Sequence, residues 1–379
     1  MSQRIPTKSA NGFVFVLAMW LLSRLVIVAT MELVAPMFPA SIMYGHSAAP
    51  SLSPKIGWEV FSNWDANYYR DIATSGYEYV NDTNKHSVAF FPVFPLVIHA
   101  VMSLGLPSKV AGTLVNNIAF LGAINLIYRW VKEHYGVNTA RWTTVVLAWC
   151  PFSLFGTVIY TEGLFLLLTT AALRAFDNHQ HAWAAFWGVI ATATRVNSAA
   201  LIPTFLIVAW REGRPPTAYM ASFATGGGLL LFSMYCAIRF GDPLAFVHAQ
   251  RGWQSQTGFD WRVWWNLFAQ DLALGKGWST AFIALIKIVM IFGGGYLLWS
   301  LRAKLSRVVV IYGFCAITLV IISGAITSVG RFAYGIVSLS IALGVLLACH
   351  PRWGYATTGL FAILLIYFSL RFSWAIWVA

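Results

Sequence analysis

A few ionisable residues stand out, one in a polar aromatic loop and three with almost no polar company in sequence. Asp65 lies in Phe61-Ser-Asn-Trp64-Asp65-Ala-Asn-Tyr68-Tyr69-Arg70-Asp71, with Gly76-Tyr77-Glu78 a few residues on. Glu162 follows Tyr160-Thr161 between two apolar runs and has no basic neighbour. Arg195 interrupts another apolar stretch in Thr194-Arg195-Val196-Asn197, and Arg331 does the same in Gly330-Arg331-Phe332. Carboxylates accept protons or, in pairs, hold hard cations. Guanidinium groups in apolar surroundings need a carboxylate, a phosphate or helix carbonyls. Asp65 reads as a helix cap or as a carboxylate held at the mouth of a membrane cavity. Glu162 reads as a favourable helix N-terminal charge, as a paired carboxylate at depth, or as both. Arg24 falls mid-way along an apolar run, where it snorkels or pairs inside a bundle. A third polar stretch, Asp242-Pro243 through Phe246, His248, Gln250 and Trp253, reads as a short helix start followed by interfacial anchors. His248, Gln250 and Trp253 would equally suit a sugar or headgroup pocket.

The elements that must position these groups are membrane helices. Of 379 residues, 59% are hydrophobic and only 10% charged, against about 25% charged in a soluble domain. Several apolar runs reach the ~20 residues that cross a bilayer. The expectation is an all-α polytopic membrane protein, one domain over 1–379, with about eleven crossings (range 9–13). The spans fall near 13–35, 110–131, 141–159, 162–176, 182–196, 198–211, 217–240, 278–301, 308–327, 331–349 and 355–378. Two long outer loops, about 36–109 and 241–277, carry the polar stretches. Asn63 or Asp65 would cap an interfacial helix that runs to Ser75 and stops at Gly76.

Residues 89–106 are apolar enough to span, but crossing would move the basic loop Arg129–Arg141 outside, against the positive-inside rule. Pro92 and Pro95 also break its first half. The segment is therefore placed as an interfacial or re-entrant helix on the outer face. Cytoplasmic loops then hold Arg4, Lys8, Arg129, Lys132, Arg141, Arg174, Arg211, Arg214, Arg302, Lys304, Arg307 and Arg352. Only Glu133, Asp177 and Glu212 join them; the other ten of thirteen acids fall outside, with Arg195 and Arg331. The net charge of +12 is thus a loop-topology effect and not a nucleic-acid signal. Cys150, Cys236, Cys315 and Cys349 sit in apolar segments without metal-ligand spacing and read as small hydrophobes. Gly226–Gly228 and Gly293–Gly295 lie inside spans and read as helix-packing positions. No phosphate-binding glycine loop, HExxH, CxxC or GxSxG is present.

In their order along the chain, these passages resemble the bacterial relatives of the second mannosyltransferase of glycosylphosphatidylinositol-anchor synthesis, the PIG-V family of C-type glycosyltransferases. The similar residues are Trp64-Asp65 through Ile72-Ala73 and Gly76-Tyr77, then Ala89-Phe90-Phe91-Pro92 and Pro95. Pro151, Tyr160-Thr161-Glu162 and Phe165 come next, followed by Thr194-Arg195-Val196-Asn197 and Gly241-Asp242-Pro243 through Phe246 and Gln250. The resemblance covers about residues 10–350. Ser198 stands where glycine is expected, and the link from Tyr77 to Ala89 is long and polar.

The resemblance implies a polyprenyl- or dolichyl-phosphate sugar donor, inversion at the sugar carbon, and an active site on the non-cytoplasmic face. It makes Asp65 the base that takes a hydroxyl proton from a lipid-linked or glycan acceptor. Arg195 and Arg331 would meet the charge on the departing lipid phosphate. Tyr69, Asp71, Glu78, Glu162, Asn197, His248, Gln250 and Trp253 are left for the acceptor or sugar pocket. A divalent metal between two carboxylates is compatible with this set but not established by it. The expected setting is a bacterial inner membrane with the site facing the periplasm and membrane lipid around it. A transporter or flippase of lipid-linked sugars is the rival class, and a non-catalytic assembly partner a third. No internal repeat of the transporter kind is visible.

Overall fold

The computed structural model describes residues 10–38, 53–253, 260–267 and 278–378, and among these every regular element is helical. Arg4 and Lys8 lie outside the described residues. Helix α1 (Ala10–Ala29) continues through a π turn and a 3-10 turn to Met37. Two short helices follow in the first loop, α2 (Asp65–Ser75) and α3 (Val93–Met102). Next come α4 (Ser108–Trp149), α5 (Glu162–Asp177), α6 (His181–Thr192) and α7 (Leu201–Arg211). A 3-10 turn at Val196–Ala200 leads into α7, and together they form one apolar helix, Val196–Arg211.

Helices α8 (Pro216–Thr225) and α9 (Gly227–Phe240) are nearly continuous. The second loop holds α10 (Ala245–His248) and α11 (Trp261–Asn266). Six helices close the chain: α12 (Trp278–Ile288), α13 (Gly294–Ser300), α14 (Arg307–Ser323), α15 (Val329–Tyr334), α16 (Val337–Cys349) and α17 (Pro351–Ser373).

Among the described residues five helical stretches are long and apolar enough to cross a bilayer, or six if the bent pair Ile326–Tyr334 and Val337–Cys349 forms one span. The remaining expected crossings are shorter helices. Val93–Met102 has 10 residues, about 15 Å of rise, which is half of a bilayer's ~30 Å apolar core. The Arg129–Arg141 region forms the bend of α4, where Gly136 has φ 84° and ψ 170°. Only glycine reaches that backbone region without steric cost.

Expected span 141–159 ends early. Helix α4 stops at Trp149, and Cys150 is extended (ψ 136°) because Pro151 disfavours the helical region before it. Pro151–Gly156 then forms a buried 3-10 turn. This break leaves carbonyls without helical partners, and Arg24 takes them. Its guanidinium donates to Ser153 O at 2.9 Å, Ala148 O at 3.3 Å and Ser153 Oγ at 3.0 Å. Arg24 therefore pairs with carbonyls inside the bundle. Gly228 is the tight position of its glycine triplet, since a Cβ there would meet Val189 O at 2.1 Å. Cys150 and Cys236 are buried as expected, whereas Cys349 is exposed.

Candidate active site

Asp65 opens α2 as its first helical residue. Trp64 occupies the cap position with φ 60° and ψ −122° and makes no side-chain cap bond. That backbone conformation is unusual for a bulky residue and costs ~1–3 kcal/mol, a strain that must be offset by its surroundings. Several contacts provide that support. Phe61 O accepts from Ile159 N at 3.1 Å, and Asn63 Nδ2 donates to Phe372 O at 2.8 Å. Arg70 donates to Ser62 Oγ at 2.8 Å and Ser108 Oγ at 3.3 Å, tying α2 to the start of α4. His99 of α3 lies 2.8 Å from Ala73 O, and Gly76 ends the helix at φ 85°.

Glu162 starts α5 and is wholly buried. Asn116, in the middle of α4's first arm, sets its position. The Asn116 amide donates to Phe155 O at 2.7 Å and Val158 O at 2.6 Å, and its Oδ1 accepts from Gly163 N at 2.8 Å. Gly163 has no room for a side chain, because a Cβ would sit 2.4 Å from Asn116 O. Sequence reading missed Asn116. Its only signal was an asparagine pair, Asn116-Asn117, inside an otherwise apolar span.

The four isolated charges meet. Arg331 Nη1 donates to Asp65 Oδ2 at 2.7 Å, and its Nε lies 3.3 Å from Glu162 Oε1 without hydrogen-bond alignment. Arg195 Nη1 donates to the same Glu162 oxygen at 2.7 Å. The result is a chain of alternating charge, Asp65–Arg331–Glu162–Arg195, whose side chains are at most 11% exposed. Aromatic rings surround the cations: Arg331 lies over Tyr160 at 5.1 Å and Phe332 at 5.4 Å, and Arg195 over Phe332 at 4.7 Å. Two oxygens remain free among the described residues. Glu162 Oε2 is buried without a partner, and Asp65 Oδ1 makes no hydrogen bond.

Tyr69 is buried against Phe90, Phe94 and Tyr160, and burial pushes its hydroxyl up to about 12. Phe90 in turn joins Tyr68 and Trp253 in an aromatic cluster with centroid separations of 4.9–5.4 Å. Trp253 Nε1 is buried and unpartnered there, and Gln250 reaches Ala89 O at 3.5 Å. Trp253 thus borders α2 through Tyr68, and Gln250 holds the Ser87–Ala89 turn.

The other candidates lie apart. Asp71 and Glu78 are exposed, outside the chain of charges. Asn197 is half-buried beside Arg195 in sequence, and its side chain makes no hydrogen bond among the described residues. His248 is held by Asp242 at 2.7 Å, which also accepts from Tyr79 at 2.8 Å. A cavity of about 310 Å³ opens beside the Phe61 turn, lined in part by Arg24, Glu32, Trp58, Asn117 and Thr157. Both carboxylates of the charge chain are engaged by guanidinium groups, and no cluster of three His, Cys, Asp or Glu side chains converges among the described residues.

A family model described as mannosyltransferase (PIG-V) matches residues 13–210, just over half of the chain, and takes in Asp65, Asn116, Glu162 and Arg195. The chain belongs to the PIG-V mannosyltransferase family. Solved structures show the fold of this PIG-V member to be that of the C-type glycosyltransferases. ArnT from Cupriavidus metallidurans bound to undecaprenyl phosphate aligns with a TM-score of 0.58 at 16% identity, over 93% of this chain and 63% of ArnT. Its apo state aligns at 0.56 and 15% identity over the same shares. The apo Archaeoglobus fulgidus oligosaccharyltransferase aligns at 0.51 and 12% identity, over 97% of this chain and 56% of that enzyme. The chain thus spans less than two thirds of these structures' length. A search of curated proteins finds no match.

Proposed function

We propose that this PIG-V family member transfers a sugar, mannose by family, from a polyprenyl-phosphate donor to a hydroxyl of a lipid-linked or glycan acceptor. The site faces the periplasm of a bacterial inner membrane. The observation that carries the reading is the convergence of the four charges on one buried site, with Asp65 Oδ1 left unbonded. The acceptor oxygen attacks the sugar's anomeric carbon from the face opposite the phosphate, and Asp65 accepts the hydroxyl proton. The bond between the anomeric carbon and the phosphate oxygen breaks, and the lipid phosphate leaves with the electron pair. Arg331 and Arg195 stabilise that anion with preorganised donors. Glu162 holds the two guanidinium groups side by side. Tyr68, Tyr69, Phe90, Gln250 and Trp253 offer stacking faces and a polar edge for the acceptor sugar.

ArnT has been solved with undecaprenyl phosphate, which supports a donor of that lipid class for the same fold. The test is purified protein with radiolabelled polyprenyl-phosphate mannose and a membrane lipid extract. A new labelled product is expected from wild type, with a loss of at least a hundredfold in Asp65→Asn protein that keeps its monodispersity. Full activity in that variant would remove Asp65 as the base. Label that crosses the bilayer without forming product would favour a flippase.

A further inference from the structure

A second cavity, of about 440 Å³, lies between α7, α13 and α14. Its walls are apolar, formed by Ile207, Val310, Ile311 and Phe314 among others, and Arg211, Arg302 and Arg307 line it too. It sits at the end of the bundle away from the charge chain. Arg195 precedes the helix Val196–Arg211 and Arg211 ends it, which separates them by about 24 Å of rise. The neighbouring charged loops also gather at this end: Arg174 binds Glu133 at 2.9 Å, and Glu212 binds Arg214 at 2.7 Å.

The charge balance around the cavity is uneven. Glu212 is shared by Arg214 and, at 3.6 Å, Arg307. Arg302 rests on its own Trp299, over the ring at 4.2 Å and on the carbonyl at 2.7 Å. Arg211 is exposed and has no partner among the described residues. Trp210 and Trp299 are 71% and 57% exposed beside the arginines, as tryptophans are at the headgroup level of a bilayer. Loop topology accounts for basic residues here, but not for an apolar cavity with arginines from two separate segments, the end of α7 and the α13–α14 connection, around it.

We propose that this cavity binds an anionic glycerophospholipid, with its phosphate at Arg211, Arg302 and Arg307 and an acyl chain against Phe314 and Ile311. Basic pockets between membrane helices recognise phosphate headgroups in this way. An acidic peptide would leave the apolar wall unused, and a zwitterionic lipid would leave the cationic excess unanswered.

The experiment is native mass spectrometry of the full chain in detergent, titrated with phosphatidylglycerol, phosphatidylcholine or undecaprenyl phosphate. Wild type is expected to hold phosphatidylglycerol at collision energies that strip phosphatidylcholine. The triple variant Arg211→Gln, Arg302→Gln, Arg307→Gln should bind it on the order of a hundredfold more weakly, from ~1 kcal/mol per basic residue at ~1.4 kcal/mol per decade. These side chains are exposed, so the variant should melt like wild type. Val310→Phe, which fills the cavity without changing charge, should weaken binding as well. Equal binding by wild type and the triple variant overturns the proposal, and so does unchanged binding in Val310→Phe. Stoichiometric replacement of phosphatidylglycerol by undecaprenyl phosphate overturns it in favour of a second site for the donor's lipid.

Discussion

Replacing Glu162 by glutamine removes one charge and almost no volume, and it isolates what holds the charge chain together. The wild-type carboxylate sees Arg195 at 2.7 Å and Arg331 at 3.3 Å and is fully buried. At an effective dielectric near 20, each contact is worth roughly 5–6 kcal/mol before desolvation is counted. Desolvating the carboxylate cancels much of that, and measured losses from breaking a buried pair run about 3–5 kcal/mol. The Glu162→Gln variant would leave Arg331 with Asp65 and Arg195 buried without a carboxylate, so its cost should fall in that range, lowering Tm by on the order of 10 °C.

Unfolding can be followed by a thiol-reactive dye, because Cys150 and Cys236 are buried; the half-buried Cys315 and exposed Cys349 are first replaced by serine. The decisive comparison adds Arg195→Gln. The double variant restores local neutrality as an Asp65–Arg331 pair, so it should be more stable than the two single losses summed, by at least ~1.5 kcal/mol. Additive losses, or a Glu162→Gln protein melting within about 1–2 °C of wild type, would refute this account of the site.

Other consequences are as direct. Asn116→Ala deletes three buried hydrogen bonds, at about 1 kcal/mol each. It should lower Tm and cut kcat at least tenfold at temperatures where the fold is intact; unchanged kcat would mean that Asn116 does not position Glu162. Arg195→Gln, which touches no group on Asp65, should chiefly raise the donor KM, whereas Arg331→Lys should lower kcat as well; unaltered donor kinetics in both would remove the phosphate clamp.

At Asp242, burial pushes the carboxyl up, but hydrogen bonds from His248, Tyr79 and Leu244 N outweigh it, and the net shift is below 3.8. A depressed carboxylate stabilises the fold above its unfolded value and loses that contribution as pH falls through the lowered one. Amide exchange in 242–250 should therefore accelerate only below about pH 4, and Asp242→Asn should show the fast exchange at neutral pH. A flat pH profile would remove Asp242 as the loop's anchor.

The site was legible in the sequence where a residue's environment is set by its own neighbours. Glu162, Arg195 and Arg331 each interrupt an apolar run, and an isolated charge in such a run must find a partner; Asp65 stood out instead as the carboxylate opening an amphipathic helix in the first outer loop. Their pairing was not legible, since Arg331 and Asp65 are 266 positions apart and nothing local encodes that contact. Proximity to Asp65 in sequence was a poor guide. Asp71 is six positions on, about 240° around a helix, so a helix that buries Asp65 turns Asp71 outward. Glu78 lies past the Gly76 stop and is exposed. The end of α4 at Trp149 was encoded by Pro151, yet hydropathy alone ran the span to 159. The mid-helix bend at Gly136 was readable only as the basic loop around it.

The alternation of charge bears on how the proposed transfer would begin. Asp65 and Glu162 balance Arg331 and Arg195, so the resting site is neutral and can stay buried without a bound anion. Arg331 is the one cation bonded to Asp65 among the described residues. An anionic phosphate that recruits Arg331 competes with Asp65 for the same guanidinium. Whatever Asp65 loses by that exchange leaves its carboxylate freer to take a proton from the acceptor. Donor recognition and base release would then draw on one side chain, and Arg195, bound only to Glu162, would serve recognition alone. This division of labour is why the two arginines, similar in burial and both bound to Glu162, are expected to fail differently when replaced.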